Sequence, residues 1–599
     1  MLSILLHMHQ PDYRDPRTRA PSMPWVRLHA TRGYRDVPVW ARETGARVTV
    51  NLVPSLIDQW EHYARGGTDP WLVLARRPAD TLEAHEREWL LERFFAGHEG
   101  IFHWFAPFGE LRARRRAGAV FDDTEVRDVI VWSNLAWFGW SAIRDYPVLA
   151  ELRRKGRGFT EAEKDAVLDL QHACVQQLAG LYRGLPEVSA TPYYHPILPL
   201  LVNTAHARRC LPEVPDPGFA FPEDARAQLV RGKARVEAWA GRAVEGLWPS
   251  EGSVSPEVAE LAADAGFRWL ATDQHVLERS ERGGGDHRGA WQLGRMRALF
   301  RDHALSDRIG FLYAGWRGEE AAADLVRRAG NAPVMLALDG ENPWEAYPDA
   351  GEAFLHALAR APLRTCGEMA RDTPVGSVRR VHTGSWINAD FSIWIGHAED
   401  RAAWVLLAEA RRAWEAKGRP AAAADHLYAA QGSDWFWWYG EEFSTPFSGE
   451  FDRLFRAHLA AAWEAMGEPV PDALARPLKK PGADALAPPR APLGPDGEDW
   501  FAWAGAGRLD LRAGAMAPMR DMPRALLFGE RGGRLQLRLL PDGDGWHVHA
   551  AGRVVPFADG RADAGEADAV VLVGPRGQRV PGEGVLVLPW RYRVQHLPE

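Results

Sequence analysis

Val334-Met-Leu-Ala-Leu-Asp339-Gly-Glu-Asn-Pro-Trp-Glu345 is a short apolar run that stops at a carboxylate and turns at once through glycine and proline. A run this short, closed by such residues, reads as a buried strand rather than a helix. Working outward, Leu2 to Met8, Arg47 to Leu52 and Phe267 to Thr272 repeat the pattern. Between them lie polar loops and helical spacing, including a helix around Val37 to Thr44 and mostly helical inserts over 60–125 and 140–180. Strands alternating with helices predict βα units and a parallel sheet, hence an α/β fold. Trp404 to Met466 is helical in pattern, and 467–498 carries the Pro, Ala and Gly of a linker. Beyond it, Arg534-Leu-Gln-Leu-Arg-Leu-Leu alternates polar and apolar residues. Turn-forming Pro541-Asp-Gly-Asp-Gly follows, then Ala569-Val-Val-Leu-Val and Val585-Leu-Val-Leu. That pattern predicts a small, sandwich-like all-β domain at the C-terminus.

At 599 residues, 46% hydrophobic and 25% charged, the chain can bury a sizeable core in several domains. A net charge of -8 with mixed signs excludes a nucleic-acid partner. Met1 to Leu6 is too short for a secretory signal and runs into His7-Met8-His9, and no apolar run approaches a membrane span. Cys174, Cys210 and Cys366 lie too far apart in sequence for a disulfide framework or thiolate cage. A cytoplasmic location is the expectation, and oligomeric state is not legible. The 27 tryptophans against 12 tyrosines suit a protein that stacks indoles on sugar rings, or one that fills its core with them.

Parallel α/β folds place their chemistry at strand ends. Two carboxylates qualify: Asp339, and Glu251 in Gly246-Leu-Trp-Pro-Ser-Glu251-Gly-Ser, a rigid aromatic setting. Cleaving a glycosidic bond needs two such groups, one at the anomeric carbon and one to protonate the leaving oxygen. Arg301-Asp302-His303 and Asp307 form a polar cluster ahead of Ile309-Gly-Phe-Leu-Tyr313, read as a further strand. Asp302 there is a candidate to orient Glu251 or a ligand.

Five ordered motifs resemble glycoside hydrolase family 57, in its amylopullulanase-like and α-amylase-like branch. They are His9-Gln-Pro with Pro24-Trp-Val-Arg-Leu-His29; Glu187-Val-Ser-Ala-Thr-Pro-Tyr-Tyr-His195; Trp248-Pro-Ser-Glu251; Leu338-Asp339-Gly-Glu-Asn-Pro-Trp-Glu345; and Gly384-Ser-Trp386 with Trp394-Ile-Gly-His397, running on to Gly432-Ser-Asp434. The resemblance implies a (β/α)7-type incomplete barrel with helical insertions over 1–380 and a helical region over 381–466. The linker over 467–498 and an all-β domain over 499–599 follow. It also implies retention, with Glu251 as nucleophile, Asp339 as general acid/base, and the two carboxyls roughly 5–5.5 Å apart. His9, His195, Trp248, Trp386, Trp394, Glu187 and Asp302 are the substrate-binding candidates. Trp500, Trp503 and Trp546 of the β domain are candidate glucan contacts, with a packing role the alternative.

The implied partner is an α-glucan, with α-1,4 bonds as the expected target and α-1,6 bonds as a second candidate. A 4-α-glucanotransferase or branching enzyme would use the same two acids, and a non-catalytic glucan-binding protein would need neither. No cofactor is implied. A zinc-dependent barrel would want a His-x-Asp strand end, whereas His9 is followed by Gln10 and Pro11. His7 and His9 share a strand face, but the sequence supplies no obvious third ligand.

Overall fold

The computed structural model describes residues 1–283, 285–440 and 447–479. Beyond these it describes 486–487, 489, 493, 503, 506–511, 523, 525–540, 545–567, 569–575, 579–580, 586–588 and 590–591. The chain forms two compact units. The first comprises Met1–Pro196, Ala225–Ser250 and Val258–Val381, the second Ile197–Asp224, Glu251–Glu257 and His382–Glu599.

Seven parallel strands build the first unit: β1 (Leu2–Met8), β2 (Thr49–Leu52), β3 (Glu187–Ala190), β4 (Gly246–Leu247), β5 (Trp269–Asp273), β6 (Met296–Arg301) and β7 (Val334–Asp339). Each pairs with the next, and β7 returns to β1 through six register pairs, Leu2↔Val334 to His7↔Asp339. The ring is therefore closed, incomplete only in having seven strands. Its thinnest seams are β3–β4, joined at the single pair Ala190↔Leu247, and β6–β7, joined at the single pair Arg301↔Met335. Every residue of β1 is buried, as a strand covered on both faces requires, which is why it reads as one apolar run rather than an alternation.

Helices fill the connections. Gly33–Thr44 links β1 to β2, and the insert before β3 is helical up to Glu161–Arg183. Ile309 to Tyr313 is not a strand. Asp302 caps the helix His303–Asp307 by accepting from Leu305 N–H at 3.0 Å, and the chain continues in a π-helical turn, Arg308–Leu312. The cap commits the backbone to helix before the apolar residues arrive.

In the second unit, the helices Ala398–Ala416, Ala421–Ala430 and Ser448–Ala465 pack together. Asp224 accepts from the buried Arg411 guanidinium at 2.9 Å and from Gln431 at 2.7 Å, so the charge is paired where water is absent. The C-terminal part holds two antiparallel sheets over one core that includes Leu526, Leu537, Trp546, Val548, Leu572 and Trp590. Arg534–Leu540 alternates buried and less buried side chains as its sequence predicts. Its hairpin with Ala525–Arg531 turns through Gly532 and Gly533, both at positive φ, the geometry a two-residue primed turn requires. Among the described residues no helix is long and apolar enough to cross a membrane.

Candidate active site

Adjacent strands carry a polar layer near their C-terminal ends. Register pairs Asp339 with His7, His7 with Asn51, and Asn51 with Ser189. Asn51 Nδ2 donates to Ser189 Oγ at 3.0 Å, while its Oδ1 accepts from Thr191 Oγ1 at 2.7 Å and faces His7 Nδ1 at 2.6 Å. An oxygen that only accepts makes His7 Nδ1 the protonated nitrogen and leaves Nε2 as an acceptor. His195 Nε2, 3.1 Å away, is then the donor. His195 reaches this place at φ +57, in the left-handed region, and His9 stacks on its ring with centroids 3.8 Å apart. Burial holds His7 down to about 3, with the neighbouring His9 adding to the effect, and drives His195 well below the usual imidazole range. The buried imidazoles are neutral donors and acceptors near pH 7, suited to hydroxyl partners.

Asp339 ends β7 and accepts from Asn342 Nδ2 at 2.9 Å. Desolvation raises its carboxyl above the ordinary range, opposed by that amide and by His9 and Arg301. Glu341, two residues on, is buried, and desolvation together with the charge of Asp339 pushes it well up. It accepts from Gln10 at 3.4 Å. A Cβ on Gly33 would meet Glu341 Cα at 2.8 Å, so only glycine lets the helix Gly33–Thr44 start this close to the acidic loop. The segment after β7 therefore favours protonated carboxyls more than an exposed position would.

Glu251 belongs to the second unit. It sits at φ 57, ψ 27, a left-handed position unusual for a residue with a side chain. Trp386 Nε1 donates to Glu251 Oε2 at 2.9 Å, and Ser433 Oγ lies 3.4 Å from Oε1. The backbone is fixed as well: Trp386 N–H donates to Glu251 O at 3.0 Å, and Val254 and Gly384 exchange a pair of hydrogen bonds. The carboxylate is thus held in one orientation by a rigid indole donor.

Residues 3–371 match the model for glycosyl hydrolase family 57. The chain belongs to that family. Among solved structures it is similar to a family 57 branching enzyme from Thermococcus kodakaraensis, at 14% identity over 78% of this chain and 89% of that one, TM-score 0.48. It is also similar to an α-amylase from Thermotoga maritima, at 12% identity over 78% and 96%, TM-score 0.46. A third is a 4-α-glucanotransferase from Thermococcus litoralis, at 13% identity over 96% and 65%, TM-score 0.43. No curated protein matches the sequence.

Within this family 57 chain, the predicted residues divide. His9, His195 and Asp339 gather at the C-terminal ends of the barrel strands, where His7, Asn51 and Ser189 join them. His7 was read only as a potential chelating partner of His9, and Asn51 and Ser189 escaped the sequence reading, although a polar residue inside the apolar runs of β1, β2 and β3 was the available signal. Trp386 is placed as a hydrogen-bond donor to Glu251 rather than as an open stacking face. Glu187 starts β3 at the opposite end of the barrel, accepting from Thr49 Oγ1 at 2.5 Å and Gly367 N–H at 2.9 Å, and so ties strands there. Asp302 is a helix cap that also pairs with His287 at 3.1 Å. Trp248 and Trp394 are each 1% exposed and serve the core. Trp503 and Trp546 are likewise buried, which favours the packing role of the β domain, and Trp500 lies outside the described residues.

Two clusters have the composition of a metal site, His7-His9-His195 and Asp273-His275-His303. His195 supplies the third imidazole that sequence alone did not reveal. The Nε2 atoms of His7 and His195 have the spacing of two ligands on one small ion, given metal–nitrogen bonds of about 2.0–2.1 Å. His9, however, lies face to face on His195, 20° from parallel, so its in-plane lone pairs do not converge with those of its neighbour. In the second cluster His303 is raised to about 12 against a desolvation that opposes it, by Asp273 and Asp307, and the Arg301 guanidinium already occupies Asp273 at 3.0 Å. A cation there would face two others.

Proposed function

We propose that this family 57 chain is a retaining enzyme of α-glucans, of the α-amylase or amylopullulanase type, with Glu251 as nucleophile and Asp339 as general acid/base. The observation that carries the reading is the contrast between the two acids. Glu251 receives a charge-orienting donor from Trp386 at 2.9 Å, while desolvation raises Asp339 and so favours its protonated form. Divergent environments of this kind separate the roles of two carboxyls.

In the first step Glu251 attacks the anomeric carbon, the glycosidic C–O bond breaks, and the Asp339 proton passes to the departing oxygen. A covalent glycosyl-enzyme results. Esterified Glu251 carries no charge, so Asp339, left as a carboxylate by that transfer, stays ionised and takes a proton from an incoming water. The water oxygen displaces Glu251 and the configuration is retained. If a sugar hydroxyl takes the place of water, the same chemistry gives a glucanotransferase or branching activity. Neutral His195, with His9 stacked on its ring, supports binding of sugar hydroxyls. The thiols of Cys174, Cys210 and Cys366, none of them in a disulfide, support a reducing, cytoplasmic location.

The test is Glu251→Gln, expected to lose at least about a thousandfold in kcat on maltooligosaccharides while keeping its thermal transition. Azide should partly restore turnover to Glu251→Ala, giving a glycosyl azide. Full activity in the glutamine variant would remove Glu251 from the reaction.

A further inference from the structure

Among the described residues, exposed large apolar side chains are valines everywhere except in one place. There, within six residues, stand Phe311 at 44%, Leu312 at 43% and Trp316 at 43% exposure. They follow β6, so they leave the barrel at the end where β7 presents Asp339. Their backing is rigid. Arg301 is held between Asp273 and Asp307, Asp302 caps the helix beneath, and Tyr313, fixed by Asp324 at 2.8 Å, packs edge-on to Trp316 at 5.3 Å. Tyr347, in the loop that follows Asp339, donates to Ile309 O at 2.8 Å, tying the aromatic turn to the acid's own loop. The turn is a π-helix, a costly local geometry that tends to persist at functional sites.

We infer that Phe311 and Trp316 form a platform on which an α-glucan chain stacks as it passes the barrel rim, an outer subsite of the proposed reaction. The inference rests on the family 57 reading of the substrate. Apolar rings in water favour the C–H faces of glucose units, and the exposed Arg317 beside them offers donors to the hydroxyl edges. Three side chains make too small a patch for a stable dimer, which needs about 800 Å² from each partner. The anchored backing suits repeated capture of a flexible ligand, since little freedom is lost on binding.

The test is affinity electrophoresis in gels containing glycogen, with full-length Glu251→Gln so that the ligand survives. Adding Trp316→Ala and Phe311→Ala should weaken retardation about tenfold, Trp316→Tyr should retain most of it, and the control Val120→Ala should match the parent. Equal retardation of parent and double variant would overturn the platform. So would a parent that glycogen does not retard, or a loss of retardation tracking a shift from dimer to monomer in gel filtration, which would assign the patch to a second copy of the chain. Because retardation needs no turnover, a failure of the Glu251 assignment, read as activity in Glu251→Gln by reducing-end assay, is separate from a failure of the platform.

Discussion

At the scale of single residues, the two acids differ in what surrounds them. Trp386→Phe keeps the ring but deletes the N–H that reaches Glu251 at 2.9 Å. A hydrogen bond to a charged group contributes about 1.5–3 kcal/mol, so kcat should fall about ten- to a hundredfold with KM much less affected. Steady-state kinetics on maltoheptaose measures both, and an unchanged kcat would make the contact incidental. Asp339 gives a prediction in pH. Its carboxyl is raised, chiefly by desolvation, and only its protonated form can serve the leaving oxygen, so activity falls as pH climbs through its folded value. The Asn342 amide pulls that value down. Asn342→Ala should therefore move the alkaline limb of the kcat/KM profile to higher pH, and a limb that stays put or moves acidward would detach it from Asp339.

At the scale of elements, the loop after β7 is wedged against the helix Trp25–His29. His29 Nε2 and Glu345 Oε1 lie 3.3 Å apart, with burial pushing Glu345 up to about 7 and His29 down to about 3. Below about pH 7 the pair is a protonated acid facing a neutral imidazole rather than an ion pair. The folded value of Glu345 lies above its unfolded one. Its stabilising contribution is therefore complete below the ordinary carboxylic range and is lost as pH rises through about 7. Glu345→Gln keeps a donor toward His29 without the titration. Its melting temperature should decline less than that of the parent between about pH 5 and pH 8, and parallel declines by calorimetry would refute the assignment. The barrel elements were legible because buried parallel strands leave continuous apolar runs, as β1 and β7 do. The Ile309 stretch misled for the same reason: apolar content alone does not distinguish a strand from a capped helical turn. The layer through His7, Asn51 and Ser189 was hidden because register between distant strands is a property of the closed ring, not of any one segment.

For the whole molecule, the second unit draws on 197–224, 251–257 and everything after 381, so no local pattern announced that Glu251 folds with Trp386 rather than with β4. Ordered motifs signalled the family, yet the choice between hydrolysis and transfer is not a motif property. In the proposed mechanism both outcomes start from one glycosyl-enzyme, and their ratio depends on how well water and sugar compete to resolve it. Altering Glu251 or Trp386 slows both branches alike and should leave the ratio of longer to shorter products where it was. Trp316 differs, because a platform for a departing or arriving chain helps a sugar acceptor and does nothing for water. With maltoheptaose as substrate, shorter sugars should dominate, and Trp316→Ala should cut the longer products about tenfold relative to them, the effect of about 1.4 kcal/mol of lost acceptor binding. Chromatography of the products decides it. An unchanged ratio in a variant that no longer holds glycogen would put the aromatic turn on the donor side of the cleaved bond, where it grips the chain before cleavage and has no influence on what resolves the intermediate.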